Sequence, residues 1–579
     1  MRQKFRLPPA RAMRALAALL ALFLSLAVLF GCAAGGGEEE EDGEDGRTDL
    51  TLLKTDGELI RDSGGMGEEV LLRGVNAGGL FVIEQWMTAF TNSTDHKTTA
   101  KVMAERFGKE VAAEMWETYR QCWWGETDFE NCAEMGINVI RLPFTYMNVD
   151  YAAVFSYDDA GQDYDFSALD AFIAQAAEYG MYTILDLHGA YGSQNGQDHS
   201  GEVVSADDID FYENEQMQTL TVSLWRALAE HYRDNPNVAA YDILNEPAEK
   251  TSGGTQTTAE RHWEFMDDVY EAIREEDEDH IVVFESCWDG ENLPHPSVYG
   301  WENCMYSFHH YSGSSDYETH AESVNDKIAG VTRQGFGVPL QLGEFSCYTN
   351  EESWEYTLGC LNRSGWHWTN WTYKVNNSWG NSGWGIVYTD AESVDVNTDS
   401  YETILSKWEG IKTVADTPLC TFSSGVTLFE IVREYAAESE ETAETEYAEL
   451  SDGEYAFYVS GTENTALAVG GKIGSYSRLR AVAGLSDPIT VSNHPDGDGS
   501  VNLLCSGDTL AVYDYGGGSY VALTDSSDTD ARFYPLETED GDLVFLSYVT
   551  GRYLRYDADA DAVMADGTEL DSALHVTLS

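Results

Sequence analysis

Short apolar segments alternate with longer amphipathic segments between residues 50 and 415. The apolar segments are rich in β-branched and aromatic residues and are hydrophobic along most of their length, which is typical of strands buried on both faces. Two intervening segments, 168–180 and 217–233, carry apolar residues every three or four positions and are predicted as helices. The predicted strands are 70–76, 138–144, 182–189, 239–247, 280–286, 304–311, 339–346 and 365–373.

This alternation of strands and helices predicts an α/β fold of the TIM-barrel, or (β/α)8, type. A doubly wound parallel sheet is the alternative, but no G-x-G-x-x-G motif follows the first strand. Active sites of such barrels lie at the C-terminal ends of the strands, so the polar and aromatic residues found there are candidates for chemistry. These residues are Asn76, Arg141, His188, Asn245, Glu246, Ser286, Trp288, His309, Tyr311, Glu344 and Trp371.

The sequence changes character after residue 415. Residues 416–448 are acidic and are predicted as a linker, with a solvated helix as the alternative, and residues 449–579 are rich in Gly, Ser, Asp and Tyr. In the latter, a Tyr-rich strand, a polar turn and a second strand recur three times. This pattern resembles a fascin-like or ricin-like β-trefoil, with a small β-sandwich as the alternative. The acidic run at 557–561 lacks the glycine and final glutamate of a calcium loop and is predicted as a hairpin turn.

The N-terminus has the form of an export signal. Basic residues precede an apolar run from Ala15 to Phe30, which ends at Cys32 in an L-F-G-C string resembling a bacterial lipobox. We therefore expect residues 1–32 to be a lipoprotein signal peptide, with Cys32 lipidated, and residues 33–49 to be an acidic disordered tether. A signal-anchor helix is the alternative. Both interpretations place the protein outside the cytoplasm, on a bacterial cell surface.

The formal net charge of −68 restricts the partners. Such an acidic surface repels phosphate backbones and argues against nucleic acid and against anionic polysaccharides, whereas a neutral glycan is unaffected. Eight cysteines follow Cys32, without a C-x-x-C motif, so they form disulfides in an exported protein or all stay reduced. We expect a monomer that touches a membrane only through its lipid anchor.

Two glutamates at strand ends are candidates for acid–base chemistry. Glu246 follows the fourth predicted strand in Y-D-I-L-N-E-P, and Glu344 ends the seventh in L-Q-L-G-E-F-S. A single carboxylate there could cap or form a salt bridge, but hydrolysis of a glycoside requires two carboxyl groups flanking the bond. The sequence contains no H-E-x-x-H, G-x-S-x-G or P-loop motif for a competing chemistry.

From about residue 70 to 390 the sequence resembles glycoside hydrolase family 5, which includes cellulases and exo-β-1,3-glucanases. The N-E-P string matches the acid/base motif of that family, and G-E-F-S matches its nucleophile motif. The resemblance implies a retaining hydrolase without metal or cofactor, with Glu246 as acid/base and Glu344 as nucleophile. It also implies substrate-site roles for further residues, namely Arg141, His188, Asn245, His309, Tyr311 and Trp371.

Two longer strings, 73–86 and 186–201, resemble the fungal-type exo-β-1,3-glucanases. They imply that Glu84, Trp86 and Asp198 lie near the terminal sugar. Trp288 is a further candidate for stacking on a sugar, or else a core residue. This resemblance leads us to expect exo-acting hydrolysis of β-1,3-glucan. Because the departures from the fungal strings fall in predicted subsites, β-1,4-glucan is the alternative substrate. These departures are Leu80, Gln85, Gln197 and His199, where the fungal strings have Trp, Pro, Phe and Asn.

Physical roles follow from this assignment. Arg141 should donate hydrogen bonds to Glu344 and keep it ionised. Glu246 should have a raised pKa because of burial and the charge of Glu344, and the two carboxyls should lie ~5–5.5 Å apart. A non-catalytic glycan-binding surface lipoprotein is the alternative function. We expect the C-terminal domain to bind carbohydrate, with a structural spacer as its alternative.

Overall fold

The computed structural model describes residues 50–205, 207–247, 259–286, 293–314, 316–437, 445–460, 465–484, 487–524, 529–538, 541–568 and 570–578. The predicted signal peptide with Cys32, the predicted tether 33–49, and Trp288 lie outside the described residues. One compact unit spans Asp49–Ser579 and contains both the barrel and the C-terminal domain.

Eight parallel strands close into a barrel in sequential order, which confirms the predicted TIM-barrel fold. Each barrel strand overlaps one of the predicted apolar segments. The register pairs Asn76 with Arg141, so polar residues of neighbouring strands reach the same rim. The strands are β1 (Arg73–Asn76), β2 (Val139–Thr145), β3 (Tyr182–Gly189), β4 (Val238–Asp242), β5 (Ile281–Glu285), β6 (Cys304–His310), β7 (Leu340–Phe345) and β8 (His367–Asn370).

Helices surround the barrel, and both predicted amphipathic segments are helical. Several helices begin with a side-chain cap; for example, Asp316 accepts a hydrogen bond from the Thr319 N–H at 3.0 Å. The helices are α1 (His96–Phe107), α2 (Lys109–Trp123), α3 (Glu126–Glu134), α4 (Tyr146–Val149), α5 (Ser167–Glu178), α6 (Glu215–Tyr232), α7 (Ala259–Arg274), α8 (Tyr317–Thr332), α9 (Glu351–Arg363), α10 (Tyr401–Glu409) and α11 (Leu428–Ala437).

Buried aromatic residues fix the loops that leave the barrel. The indole of Trp225 on α6 donates to the carbonyl of Ile243, just beyond β4, at 2.9 Å. After β1, the hydroxyl of Tyr119 donates to the Gly79 carbonyl at 2.7 Å, and Gly79 has a φ of 77°. A side chain there would be strained and would meet the ring of Trp123, so glycine is required. These contacts hold the loops that carry polar rim residues.

The C-terminal region is an all-β domain, as predicted, in which 14 described strands pair antiparallel in one sheet. This pairing does not by itself establish a trefoil, which stays a prediction. The run at 557–561 forms the turn between two paired strands, as predicted. The strands are Thr445–Tyr447, Gly453–Tyr455, Phe457–Val459, Thr465–Ile473, Tyr476–Ala483, Ile489–Asn493, Val501–Cys505, Asp508–Tyr515, Gly518–Thr524, Arg532–Thr538, Leu543–Ser547, Tyr553–Asp557, Ala562–Gly567 and Val576–Leu578.

Three two-stranded sheets complete the described strands. They pair Lys54–Asp56 with Leu59–Arg61, Phe90–Thr91 with Val394–Asp395, and Lys374–Asn376 with Val387–Thr389.

The C-terminal domain packs directly against the barrel helices α8 and α9. Asn325 on α8 donates to the Tyr548 carbonyl at 2.7 Å, and the Tyr548 hydroxyl donates to Asp326 at 2.8 Å. Tyr548 belongs to the same buried apolar cluster as the residues between the barrel and its helices. Within the predicted linker, Tyr435 of α11 accepts a hydrogen bond from Asn362 of α9 at 2.9 Å. The predicted domain boundaries at 415 and 449 stay predictions.

Seven cysteines of the described chain are free and buried, and Cys287 lies outside the described residues. They are Cys122, Cys132, Cys304, Cys347, Cys360, Cys420 and Cys505. Within the described ranges, no helix combines the length and the apolar character needed to cross a membrane.

The domain interface should contribute to stability. Replacement of the fully buried Tyr548 by alanine removes a ring and leaves Asp326 without its hydroxyl donor. We expect Tyr548→Ala to lower the free energy of unfolding by about 3–5 kcal/mol, measured by urea denaturation.

Tyr515→Ala provides the matched control, because Tyr515 is 49% exposed in the same domain. It should change stability by no more than about 0.5 kcal/mol. Equal effects of the two substitutions would show that the interface does not stabilise the protein.

Candidate active site

Glu246 and Glu344 face each other at the C-terminal rim of the barrel. Glu246 lies four residues after the end of β4, and Glu344 lies in β7. One carboxylate oxygen of each lies within 4.8 Å of the other and of a ring nitrogen of His309. The two glutamates that the sequence singled out therefore line one gap, about the width of the carboxyl separation in retaining glycosidases.

The guanidinium of Arg141 on β2 lies below this pair and is fully buried. Its Nη1 donates to Glu344 Oε1 at 2.9 Å and to Asn76 Oδ1 at 3.0 Å. Its Nη2 donates to Asn245 Oδ1 at 2.9 Å. The predicted hydrogen bond from Arg141 to Glu344 is therefore present, and Arg141 also orients the asparagine that precedes Glu246.

Three more carboxylates surround Arg141, and the sequence analysis missed all of them. Nε donates to Asp242 at 2.9 Å, Nη2 donates to Glu285 at 2.7 Å, and Asp186 lies 3.1 Å from Nη1. Burial and the neighbouring Glu285 raise the pKa of Asp242 well above its ordinary value. Charged residues inside otherwise apolar strands were the signal that could have found them.

Glu285 also fixes the backbone of Glu246. The Glu246 residue has a φ of 40°, a left-handed conformation that favours glycine. Its N–H donates to Glu285 Oε2 at 2.8 Å, which stabilises this conformation and turns the side chain toward the gap. Burial opposes the ionisation of Glu285, but His309 and Arg141 lower its pKa to about 2. Glu285 is therefore a charged anchor for the residue that bears the predicted acid.

His309 on β6 connects the carboxylates. Its Nδ1 donates to Glu246 Oε1 at 2.8 Å and lies 3.5 Å from Glu344 Oε2, and its Nε2 lies 3.3 Å from Glu285. Burial disfavours the imidazolium, but the surrounding carboxylates raise the pKa of His309 well above its ordinary value. His309 therefore holds a proton next to Glu246.

The pKa of Glu246 shifts in the direction opposite to our expectation. Burial raises this pKa, but the hydrogen bond and the charge of His309 lower it by a larger amount, so the net shift is downward. The pKa of Glu344 is raised, first by burial and then by the charge of Glu246, and Arg141 only partly offsets this. The expected raised pKa of Glu246 is thus wrong for the substrate-free site, because the sequence does not reveal the distance to His309.

Three other predicted residues complete this part of the rim. The Tyr311 hydroxyl donates to Glu344 Oε2 at 2.9 Å. His188 contacts Asp186 at 2.7 Å through Nδ1, and its ring stacks on Trp371 with centroids 5.4 Å apart and planes 6° apart. These contacts fix the orientations of the nucleophile candidate and of the aromatic floor.

A second cluster adjoins the glutamate pair. Trp86 donates to Glu84 Oε2 at 2.7 Å, and Glu84, Asp198 and His199 each place one donor atom within 4.8 Å of the others. Burial, followed by the charge of Asp198, raises the pKa of Glu84 to about 8. His199 Nε2 lies 3.3 Å from Glu246 Oε2. The structure thus brings together the residues for which the resemblance implied catalytic or substrate-site roles, whereas Trp288 lies outside the described residues.

Both clusters contain ligand types that a divalent metal ion could use. Three of these carboxylates, Glu84, Glu246 and Glu344, accept hydrogen bonds in the described structure, from Trp86, His309, Arg141 and Tyr311. The arrangement can therefore perform acid–base and nucleophilic chemistry with its own side chains.

The sequence model of the cellulase family, glycosyl hydrolase family 5, matches residues 103–377. This range contains both glutamates and every predicted site residue of the barrel except Asn76, Glu84 and Trp86.

Curated relatives match about half of the chain. A beta-xylosidase of Phanerodontia chrysosporium is 31% identical over 269 residues, which are 45% of this chain and 52% of that protein. A probable glucan 1,3-beta-glucosidase A of Aspergillus clavatus is 30% identical over 305 residues, which are 49% of this chain and 67% of that protein. The chain thus spans about half to two thirds of these relatives' length.

Solved structures show lower similarity. An endogalactoceramidase is 20% identical, with a TM-score of 0.44, and the match covers 76% of this chain and all of that one. A rutinosidase from Aspergillus niger is 17% identical, with a TM-score of 0.41, and the match covers 53% of this chain and 90% of that one. Likenesses at this level support no functional conclusion. The family model and the curated relatives show that the chain belongs to glycosyl hydrolase family 5.

Proposed function

We propose that the protein is a retaining glycoside hydrolase that cleaves β-glucosidic bonds, with Glu344 as nucleophile and Glu246 as acid/base. The observation that carries this proposal is the separation of the two carboxylates, of which one oxygen each lies within 4.8 Å of the other. An inverting enzyme needs a separation of roughly 6.5–9.5 Å, because a water molecule must fit beside the sugar.

The reaction proceeds in two displacements. Glu344 attacks the anomeric carbon while the glycosidic C–O bond breaks, and the leaving oxygen takes a proton from Glu246. Arg141 and Tyr311 each hold one oxygen of Glu344, which aims the carboxylate. Because Glu344 loses its charge in the ester, Glu246 remains as the carboxylate. It then takes a proton from water, whose oxygen attacks the anomeric carbon and releases the sugar.

His309 occupies one oxygen of Glu246 and leaves the other for chemistry. Nδ1 of His309 lies 2.8 Å from Glu246 Oε1, and Nε2 lies 3.3 Å from Glu285. Glu246 enters the first displacement as the neutral acid, and the proton that it gives to the leaving oxygen is replaced by the proton that it takes from water in the second displacement.

We propose β-1,3-glucan as substrate, cleaved from a chain end, with β-1,4-glucan as the alternative. Several relatives bear the name glucan 1,3-beta-glucosidase. The cluster of Glu84, Trp86 and Asp198 beside the catalytic pair is suited to the hydroxyls of a terminal sugar. With a pKa of about 8, Glu84 is a neutral carboxyl that can donate a hydrogen bond as well as accept one. A neutral glycan also experiences no charge repulsion from the strongly acidic protein.

We propose that the protein acts outside the cell, where a polymeric glucan is accessible. This proposal rests on the N-terminal sequence with its lipobox-like Cys32.

For the C-terminal domain we propose binding of the same glucan. Tyr513 and Tyr515 lie on one strand with ring centroids 6.2 Å apart and planes within 21° of parallel, and Tyr515 is exposed. Two nearly parallel rings on a sheet surface, one of them exposed, offer an aromatic surface on which the apolar face of a sugar can stack.

Removal of either catalytic carboxyl should abolish most activity without unfolding the barrel. We expect Glu246→Gln to lower kcat on laminarin oligosaccharides by about a hundredfold to ten-thousandfold, and Glu344→Gln to lower it at least as much. Wild-type enzyme should release the β-anomer first, as followed by proton NMR of the reducing end.

Glu409→Gln serves as the control, because this glutamate is exposed on α10 and should leave kcat unchanged. Release of the α-anomer first would contradict retention. Binding of glucan without cleavage of any β-glycoside by the wild type would instead favour the non-catalytic alternative.

The tyrosine platform predicts a separate effect on polymer binding. We expect the double substitution Tyr513→Ala and Tyr515→Ala to weaken binding to insoluble β-glucan by roughly tenfold in a pull-down assay. Turnover of short oligosaccharides should not change, because they reach only the barrel. Tyr401→Ala on α10 is the control, and unchanged polymer binding in the double variant would contradict the proposed platform.

A further inference from the structure

His199 lies beside the catalytic acid at a position where the fungal-type string has asparagine. It belongs to a short 3-10 turn, Asp198–Ser200, in the loop that follows β3. Its Nε2 lies 3.3 Å from Glu246 Oε2, on the side of the carboxyl opposite to the hydrogen bond from His309. The two oxygens of Glu246 therefore face two different imidazoles.

Asn195 determines which nitrogen of His199 carries a proton. The Asn195 Oδ1 accepts from the Gln197 N–H at 3.0 Å, and its Nδ2 donates to the Glu246 carbonyl at 3.0 Å. In the reverse orientation of the amide, Oδ1 would face the Glu246 carbonyl and Nδ2 would face the Gln197 N–H. An acceptor would then meet an acceptor, and a donor would meet a donor. The second Nδ2 hydrogen therefore points at His199 Nε2, which lies 2.8 Å away and must be an acceptor.

This contact makes His199 a neutral ring with its proton on Nδ1. Burial acts in the same direction, since it lowers the pKa of His199. Glu246 Oε2 consequently faces a nitrogen lone pair rather than an N–H. The contact is repulsive when Oε2 is part of an ionised carboxylate, and becomes an O–H···N hydrogen bond when Oε2 carries a proton.

We propose that His199 is a positioning residue that keeps the acidic proton of the catalytic glutamate on Oε2. This inference rests on the proposed hydrolase function. Oε1 is already occupied as the acceptor from His309, so Oε2 is the oxygen that presents a proton to the glycosidic bond. After proton transfer, the lone pair of His199 destabilises the Glu246 anion and makes it a stronger base toward the incoming water.

Other charged groups face this pair from several elements. The groups around Glu246 are His309, Glu285 and Glu344, and those around His199 are His188, Asp198, Glu84 and His309. All of them remain when His199 alone is replaced. A comparison of wild type with a His199 variant therefore isolates the effect of the lone pair.

The test is the pH dependence of kcat/KM on a short β-glucoside for wild type and for His199→Asn. The amide introduced by the substitution can donate to Oε2 and so favours the ionised carboxyl. We expect the basic limb of the profile to move down by about one pH unit, while the acidic limb stays in place. His231→Asn, at a half-exposed site on α6, should leave both limbs unchanged.

A basic limb that does not move in a folded, active His199→Asn enzyme would overturn the inference. Nitrogen-15 NMR of the wild-type histidine rings tests it without any loss of folding. We expect an unprotonated Nε2 and a protonated Nδ1 for His199 at neutral pH, and a proton on Nε2 would overturn it. If wild type cleaves no β-glycoside, the proposed function fails, and the NMR result still decides the state of His199.

Discussion

The buried guanidinium of Arg141 is the interaction on which the site depends. It binds polar partners from β1, β3, β5 and β7, and from β4 and the loop after it, so one side chain connects most of the barrel rim. A buried charge is costly unless it is paired and fully hydrogen-bonded, and here its partners supply both conditions. The cost of separating them restricts the rim to one arrangement. In that arrangement, Glu344 is held from below and Glu246 is turned toward it.

Much of the fold could be predicted because its signals are local. Each barrel strand is a short apolar segment, and each of the two tested helices shows a helical period, so neither requires knowledge of distant contacts. The glutamate pair could also be predicted, because strand order alone brings the ends of β4 and β7 to one rim. A trefoil could not be predicted in the same way. A repeat of Tyr-rich strands predicts individual hairpins, but it does not show how the hairpins are arranged in space.

The missed features depend on distances between elements. Asp186, Asp242 and Glu285 lie within apolar strands, and a period of two cannot show which charged residue points toward Arg141. The direction of the pKa shift of Glu246 was mispredicted for the same reason, because it depends on the 2.8 Å contact with His309. His199 attracted notice only as a departure from the fungal string, and its neutral tautomer becomes evident only from the hydrogen bonds of Asn195. Packing of the C-terminal domain on α8 and α9 likewise had no sequence signal.

In the proposed reaction, Glu344 forms a covalent bond to the sugar across the gap from Glu246. Incubation with a 2-deoxy-2-fluoro-β-glucoside bearing a good leaving group, followed by mass spectrometry, tests this directly. We predict that the intact protein gains the mass of one fluoroglucosyl group and that peptide mapping places it on Glu344. A label on any other residue, or turnover by an inverting route without a trapped ester, would show that Glu344 is not the nucleophile.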